Sequence, residues 1–210
     1  MIKRNLKTLI ITSIIILLPI AVGLILWNRL PDQLPMHWNA AGEVDGWGSK
    51  LLCVVGMPLF LLAIQWLCVF ATAADPKKRN HPDKVLAMIF WLVPILSVVL
   101  NTVTYLTALE KGIRIEVVMP VTLGLLFVII GNYLPKCKQN YTIGIKIPWT
   151  LHSEENWNRT HRLAGFLWVI CGLAIMVTGF FGGFVAFFVI ALVMVIVPLV
   201  YSFVLYKKGI

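Results

Sequence analysis

Four separate apolar runs, at 9 to 27, 51 to 73, 85 to 108 and 117 to 134, constrain this chain more than any motif in it. Roughly twenty apolar residues of helix cross the ~30 Å hydrocarbon core of a bilayer, and each run reaches that length. A fifth block, 164 to 206, is twice as long and is broken by Gly179, Gly182 and Gly183, which makes it a helical hairpin. The pattern therefore predicts an all-α membrane protein of six transmembrane helices, a single polytopic domain over 1 to 210. Composition agrees: 60% of residues are hydrophobic and only 13% charged, more apolar surface than a water-soluble globule can hide. A soluble enzyme, a DNA-binding domain and a secreted disulfide scaffold are excluded on these grounds.

The formal charge of +9 becomes a topology signal once it is sorted by loop. With the N-terminus inside, the inner segments hold Lys3, Arg4, Lys7, Lys77, Lys78, Arg79, Lys84, Lys136, Lys138, Lys146, Arg159, Arg162, Lys207 and Lys208 against four acids. The outer segments hold only Arg29, Lys50, Lys111 and Arg114 against five acids. That is a positive-inside bias, so both termini are expected in the cytoplasm. The basic excess then serves orientation and contact with lipid headgroups, with no direct nucleic-acid role. The basic start and long apolar run at the N-terminus read as an uncleaved anchor, since no small-x-small cleavage site follows before Trp27. Cys53, Cys68, Cys137 and Cys171 show no C-x-x-C spacing and are expected as small packing residues.

Ionisable residues are missing from the spans. Ion-coupled transporters keep such groups near the midplane, so a small-molecule or lipid transporter is the weaker alternative and a membrane enzyme weaker still. Gln65 and Asn101 are expected to hydrogen-bond between helices, and Pro19, Pro58, Pro94, Pro120 and Pro198 to kink them.

Function is expected in the two long polar segments, an extracytoplasmic loop at 28 to 50 and a cytoplasmic loop at 135 to 163 that leads into helix five. In the first, prolines hold 30 to 35 extended and Leu34, Met36 and Trp38 alternate as in a strand. Asn39 begins an Asx turn that reaches Gly42, while Gly42, Gly46 and Gly48 permit positive φ, so a small ordered cap is expected. Trp27, Trp38 and Trp47 suit an interfacial belt. His37, Asn39, Glu43 and Asp45 are possible metal ligands, but their spacing matches no metal signature, and neither metal nor cofactor is expected. In the second loop, 140 to 151 reads as a short extended piece stopped by Pro148. Ser153 then caps a helix with Glu154 and Glu155 in its first turn. Trp157, His161, Ala164 and Trp168 share one face of that helix, with Arg159 and Arg162 on others. Glu154 and Glu155 point in different directions, so no catalytic acid and base are read from them and His161, and no enzyme is expected.

Two stretches carry a resemblance. Leu-Pro-x-x-Leu-Pro-x-His-Trp-Asn-x-x-Gly-x-x-Asp-Gly at 30 to 46 is one. The other comprises Gly-Asn-Tyr-Leu-Pro-Lys at 131 to 136, Asn-Tyr-Thr-Ile-Gly-Ile-Lys-x-Pro-Trp-Thr-Leu at 140 to 151 and Glu-Glu-Asn-Trp-Asn-Arg-Thr-His-Arg at 154 to 162. In these motifs and in the order of its spans, the chain resembles the SdpI family of bacterial membrane proteins. The resemblance implies immunity to a secreted toxic peptide, cationic or amphipathic, together with sequestration of a cytoplasmic transcriptional repressor at the membrane. On this reading His37, Trp38, Asn39, Gly42, Asp45 and Trp47 meet the peptide. Lys146, Trp149, Glu154, Glu155, Trp157, Arg159, His161 and Arg162 meet the partner. Lys146 stands where such proteins often carry Arg, which keeps the charge but loses the planar fork of a guanidinium.

Overall fold

The structure, a computed structural model, describes residues 1–39, 41–181 and 183–210. Ala40, in the expected turn, and Gly182, one of the glycines expected to open the last hairpin, lie outside them. Among the described residues, six helices are long and apolar enough to cross a membrane: Lys3–Ile25, Leu52–Ala74, Asp83–Ala108, Ile115–Lys136, Glu154–Phe181 and Val185–Lys207. Large side chains such as Ile14, Leu18, Phe60, Leu67, Phe181 and Val185 stand exposed along them. Such faces suit lipid, where a helix satisfies its own backbone polar groups. The chain divides into two compact units, Met1–Phe70 with Ile89–Glu116, and Ala71–Met88 with Val117–Ile210.

The first unit contains α1 (Leu6–Ile25), the strands β1 (Gln33–Trp38) and β2 (Val44–Ser49), most of α2 (Met57–Ala74), and α3 (Asp83–Ala108) from Ile89 onward. A π-helical turn at Leu52–Gly56 precedes α2. The wide turn comes just before Pro58, whose ring would crowd the carbonyl four residues back in a regular helix. Polar side chains stitch the helices to one another's backbones: Ser97 Oγ donates to the Ile16 carbonyl (2.9 Å), Tyr105 to Pro19 (3.0 Å) and Gln65 Nε2 to Phe90 (3.1 Å). Gln65 thus bonds between helices as expected. Asn101 does not: its amide returns to Ser97 on its own helix (2.8 Å), the nearest carbonyl one turn back.

The second unit contains α4 (Ile115–Tyr133) from Val117, α5 (Pro148–His152), α6 (Glu154–Phe181) and α7 (Phe184–Lys207). α4 and α6 meet antiparallel along a glycine seam. A Cβ on Gly131 would come within 2.9 Å of the Gly165 carbonyl, and one on Gly172 within 2.6 Å of the Gly124 carbonyl. Small residues let the two backbones approach where lipid supplies no hydrophobic drive for association. Packing between α6 and α7 centres on Cys171, Ile175 and Met194, and Trp168 Nε1 donates to the Met194 carbonyl (3.0 Å).

Candidate functional site

The polar segment 28 to 50 folds as a two-stranded antiparallel hairpin pairing Gln33 with Ser49, Leu34 with Gly48 and Trp38 with Val44. The expected strand is β1, but its alternation is broken. Register shifts at Pro35/His37 and His37/Trp38 leave Leu34 and Pro35 buried together and Met36 and His37 exposed together. The Asx turn forms: Asn39 Oδ1 accepts the N–H groups of Ala41 (2.9 Å) and Glu43 (3.0 Å), and Gly42 takes φ +80°. Gly46 and Gly48 do not take positive φ. They are needed for space, since a Cβ on Gly46 would come within 2.8 Å of His37 Cβ and one on Gly48 would strike Met36 Sδ. The four residues considered as metal ligands pair off, His37 Nδ1 with Asp45 Oδ1 and Asn39 Nδ2 with Glu43 Oε2. Leu30 and Leu34 root the hairpin on Cys53, Val54 and Tyr105, and the Trp47 ring is 57% exposed.

The segment 135 to 163 forms no strand. After a 3-10 turn at Leu134–Lys136, residues 137 to 147 wind irregularly, and α5 begins at Pro148. The extended piece expected over 140 to 151 is therefore replaced by turns and a short helix. Side chains take over the backbone hydrogen bonds that a strand partner would have supplied. Asn140 Oδ1 accepts from the Thr142 (2.8 Å) and Ile143 (2.7 Å) N–H groups, and its amide donates to the Lys138 and Ile143 carbonyls. Gln139 Nε2 donates to the Thr150 and Leu151 carbonyls. Thr150 Oγ1 donates to the Ile145 carbonyl (2.7 Å) and accepts from Ile147 N–H. Pro148 opens α5 at a position where its missing N–H costs nothing.

From α6, Trp157 Nε1 donates to the Cys137 carbonyl (2.7 Å). His161 stacks on Trp157 with ring centroids 4.0 Å apart, bonds through Nδ1 to the Trp157 carbonyl and accepts Ile145 N–H at Nε2 (2.9 Å). Gly144, at φ +117°, lies against both rings. Asn156 completes the cluster, accepting from Ser202 Oγ (2.6 Å) and donating to the Ser202 and Ile210 carbonyls. Ser153 caps α6 through the Asn156 N–H, as expected.

Residues 71 to 88 supply a second layer. Asp75 Oδ2 accepts the Tyr141 N–H (2.9 Å) and the Thr142 hydroxyl (2.8 Å), and Oδ1 accepts the Lys77 N–H (2.7 Å). His81 Nε2 lies 3.4 Å from Thr142 Oγ1 and 3.5 Å from Asp75 Oδ2. Burial works to raise the Asp75 carboxyl, but the bonds from Thr142, Lys77 and Tyr141, with His81 nearby, outweigh it and hold it below the usual carboxylate range. Burial lowers the His81 imidazole, against the pull of Asp75. Burial also pushes the Cys137 thiol up to about 11. Asp75, His81 and Gln139 escaped the sequence reading. Asp75 and His81 lie far from the motif in sequence, and Gln139, though inside the segment, is one of many polar residues there.

The expected partner residues separate into two groups. Lys146, Glu154, Glu155, Arg159 and Arg162 are exposed, with Glu155 paired to Arg159, and Trp149 is half-buried against Phe203 and Tyr206. Trp157 and His161 are buried, so as folded here they hold the loop together and offer no surface.

A model of the SdpI/YfhL protein family matches residues 136–202, the stretch that holds Asn140, Gly144, Thr150, Trp157 and His161. In this part the chain is similar to the SdpI/YfhL family. A second model, a domain of unknown function (DUF1648), matches residues 14–62, which include the hairpin. The chain is 28% identical over 215 residues to the Immunity protein SdpI of Bacillus subtilis (strain 168), covering 98% of this chain and 97% of that protein. The resemblance carried by the motifs therefore extends over nearly the full length. No solved structure matches. Within residues 136–202, the motif is largely a set of buried side chains that specify one loop conformation.

Proposed function

We propose that this membrane protein gives a bacterial cell immunity to a secreted toxic peptide. The observation that carries the reading is its similarity, over 98% of its length, to a protein named as an immunity protein. The hairpin supports it. Positive-inside charge puts this loop on the outer face, where a peptide arrives, and its acids Asp32, Glu43 and Asp45 and its exposed Trp47 ring suit a cationic or amphipathic partner. Asn39 and Gly42 shape the turn between His37 and Asp45, and Trp38, partly exposed, ends the strand that leads into it. On the cytoplasmic side, exposed Lys146, Glu154, Arg159 and Arg162 are a surface to which a repressor protein is held when peptide is present. The membrane is the cytoplasmic one, and its lipids meet the basic inner ends of the helices.

The test is survival of peptide-sensitive cells that express the protein, challenged with cationic antimicrobial peptides and compared with cells carrying Trp47→Ala or Asp45→Ala at matched membrane levels. Protection that falls in graded steps in the two variants is expected. Absence of protection against every peptide tried overturns the immunity reading. Repressor sequestration is checked separately, by co-purification of a cytoplasmic DNA-binding protein that Arg159→Glu with Arg162→Glu releases.

A further inference from the structure

Beneath the hairpin lies a cavity of about 110 Å³. Its roof is β1, through Pro35, Met36 and Trp38, and its walls are α2 and α3, through residues such as Met57, Leu61 and Asn101. All of it belongs to the first unit. The lining is mostly apolar, with Asn101 and Thr104 as its polar side members, and it has one unusual feature: the indole N–H of Trp38 is buried and has no hydrogen-bond partner among the described residues. A buried donor left unpaired forfeits its hydration with no return, and native structures rarely tolerate one without a reason.

We propose that this cavity is a binding site for one branched apolar side chain of a peptide, with an adjoining peptide carbonyl accepting the Trp38 N–H. The peptide as occupant rests on the immunity reading above; size and chemistry narrow it further. Apolar cavities of about 150 Å³ take up benzene or xenon. A space of about 110 Å³ therefore suits the four carbons of a leucine side chain. A peptide places a carbonyl beside every side chain it inserts, whereas a free hydrocarbon offers the indole nothing. The site also gives Trp38 a role that aromatic anchoring at the interface does not need.

The experiment uses the full-length chain in nanodiscs with its methionine methyl groups labelled for NMR, since Met36 and Met57 line the cavity. The probe is N-acetyl-leucinamide, with N-acetyl-glycinamide and octanoate as comparisons. Saturable shifts of the Met36 and Met57 methyl signals with the leucine amide alone are expected. Leu61→Phe, or Leu100→Phe should the first variant fail to fold, fills the space and abolishes them. Trp38→Phe keeps an aromatic ring, though a smaller one, removes the donor and weakens the probe about fivefold to tenfold. Equal shifts with the glycine amide, a response to octanoate in place of the leucine amide, or unchanged binding in Trp38→Phe overturns the proposal. Probe binding without protection of cells counts against immunity and leaves the cavity assignment standing. Protection without probe binding does the reverse.

Discussion

Gly144 shows how one residue can hold a loop. At φ +117° an L side chain is strained, and a Cβ there would run into His161 and the Trp157 ring. Gly144→Ala is expected to destabilise the protein by about 2 to 3 kcal/mol, read as a drop of several degrees in the detergent-solubilised melting temperature. The pH response belongs to the same scale. Burial lowers the imidazole of His81, so the unfolded chain binds a proton that the folded chain resists. Its contribution is whole above the ordinary histidine value of about 6.5 and is lost as pH falls below it. Asp75, held low by its hydrogen bonds, contributes above about 3.9 and loses that contribution at still lower pH. Melting temperature should therefore fall between pH 7 and pH 5, and by less in His81→Gln. An equal fall in the variant would place the titrating group elsewhere.

Among the elements, the α4 and α6 pair depends on its glycine seam. Gly172→Leu forces the backbones apart at Gly124 and Val128 and is expected to cost about 3 kcal/mol, near the upper end for overpacking. Leu173→Ala, on the exposed side of the same helix, should change stability by no more than about 0.5 kcal/mol. Denaturant titration followed by circular dichroism compares the two. In the hairpin, Asn39→Ala removes the acceptor for two backbone N–H groups and is expected to cost about 1 kcal/mol locally. Faster protease nicking between β1 and β2, with an unchanged global melting temperature, is the measurable sign.

At the scale of the whole molecule, the charge distribution makes a prediction about sides. In a variant whose native cysteines are replaced by alanine or serine, a single cysteine at the exposed position Glu43 should react with an impermeant maleimide on intact cells. One at exposed Asn158 should react only after permeabilisation, and the opposite pattern would invert the topology. A hydrophobic stretch is legible from composition because lipid acts on every residue independently, so the number of spans needed no tertiary contact. The hairpin was legible only by half. Pro and Gly marked an ordered turn and one strand, but β2 has the sequence Val-Asp-Gly-Trp-Gly-Ser, which carries no strand pattern of its own and is shaped by its pairing with β1.

Six spans, two ordered polar segments, the Asx turn at Asn39 and the Ser153 cap can all be read from the order of residues, because each depends on residues within a few positions of one another or on hydrophobicity summed over a run. Tertiary structure alone decided that Asp75 and His81 reach Thr142, some sixty residues away. It also decided that Gly124, Gly131, Gly165 and Gly172 form one seam, and that Trp157 and His161 turn inward onto Cys137 and Ile145. Helical spacing set the face that Trp157 and His161 share, but a face becomes a surface or a core according to what packs against it. Here that is a loop whose own backbone needed partners, and the buried side chains of the motif supply them.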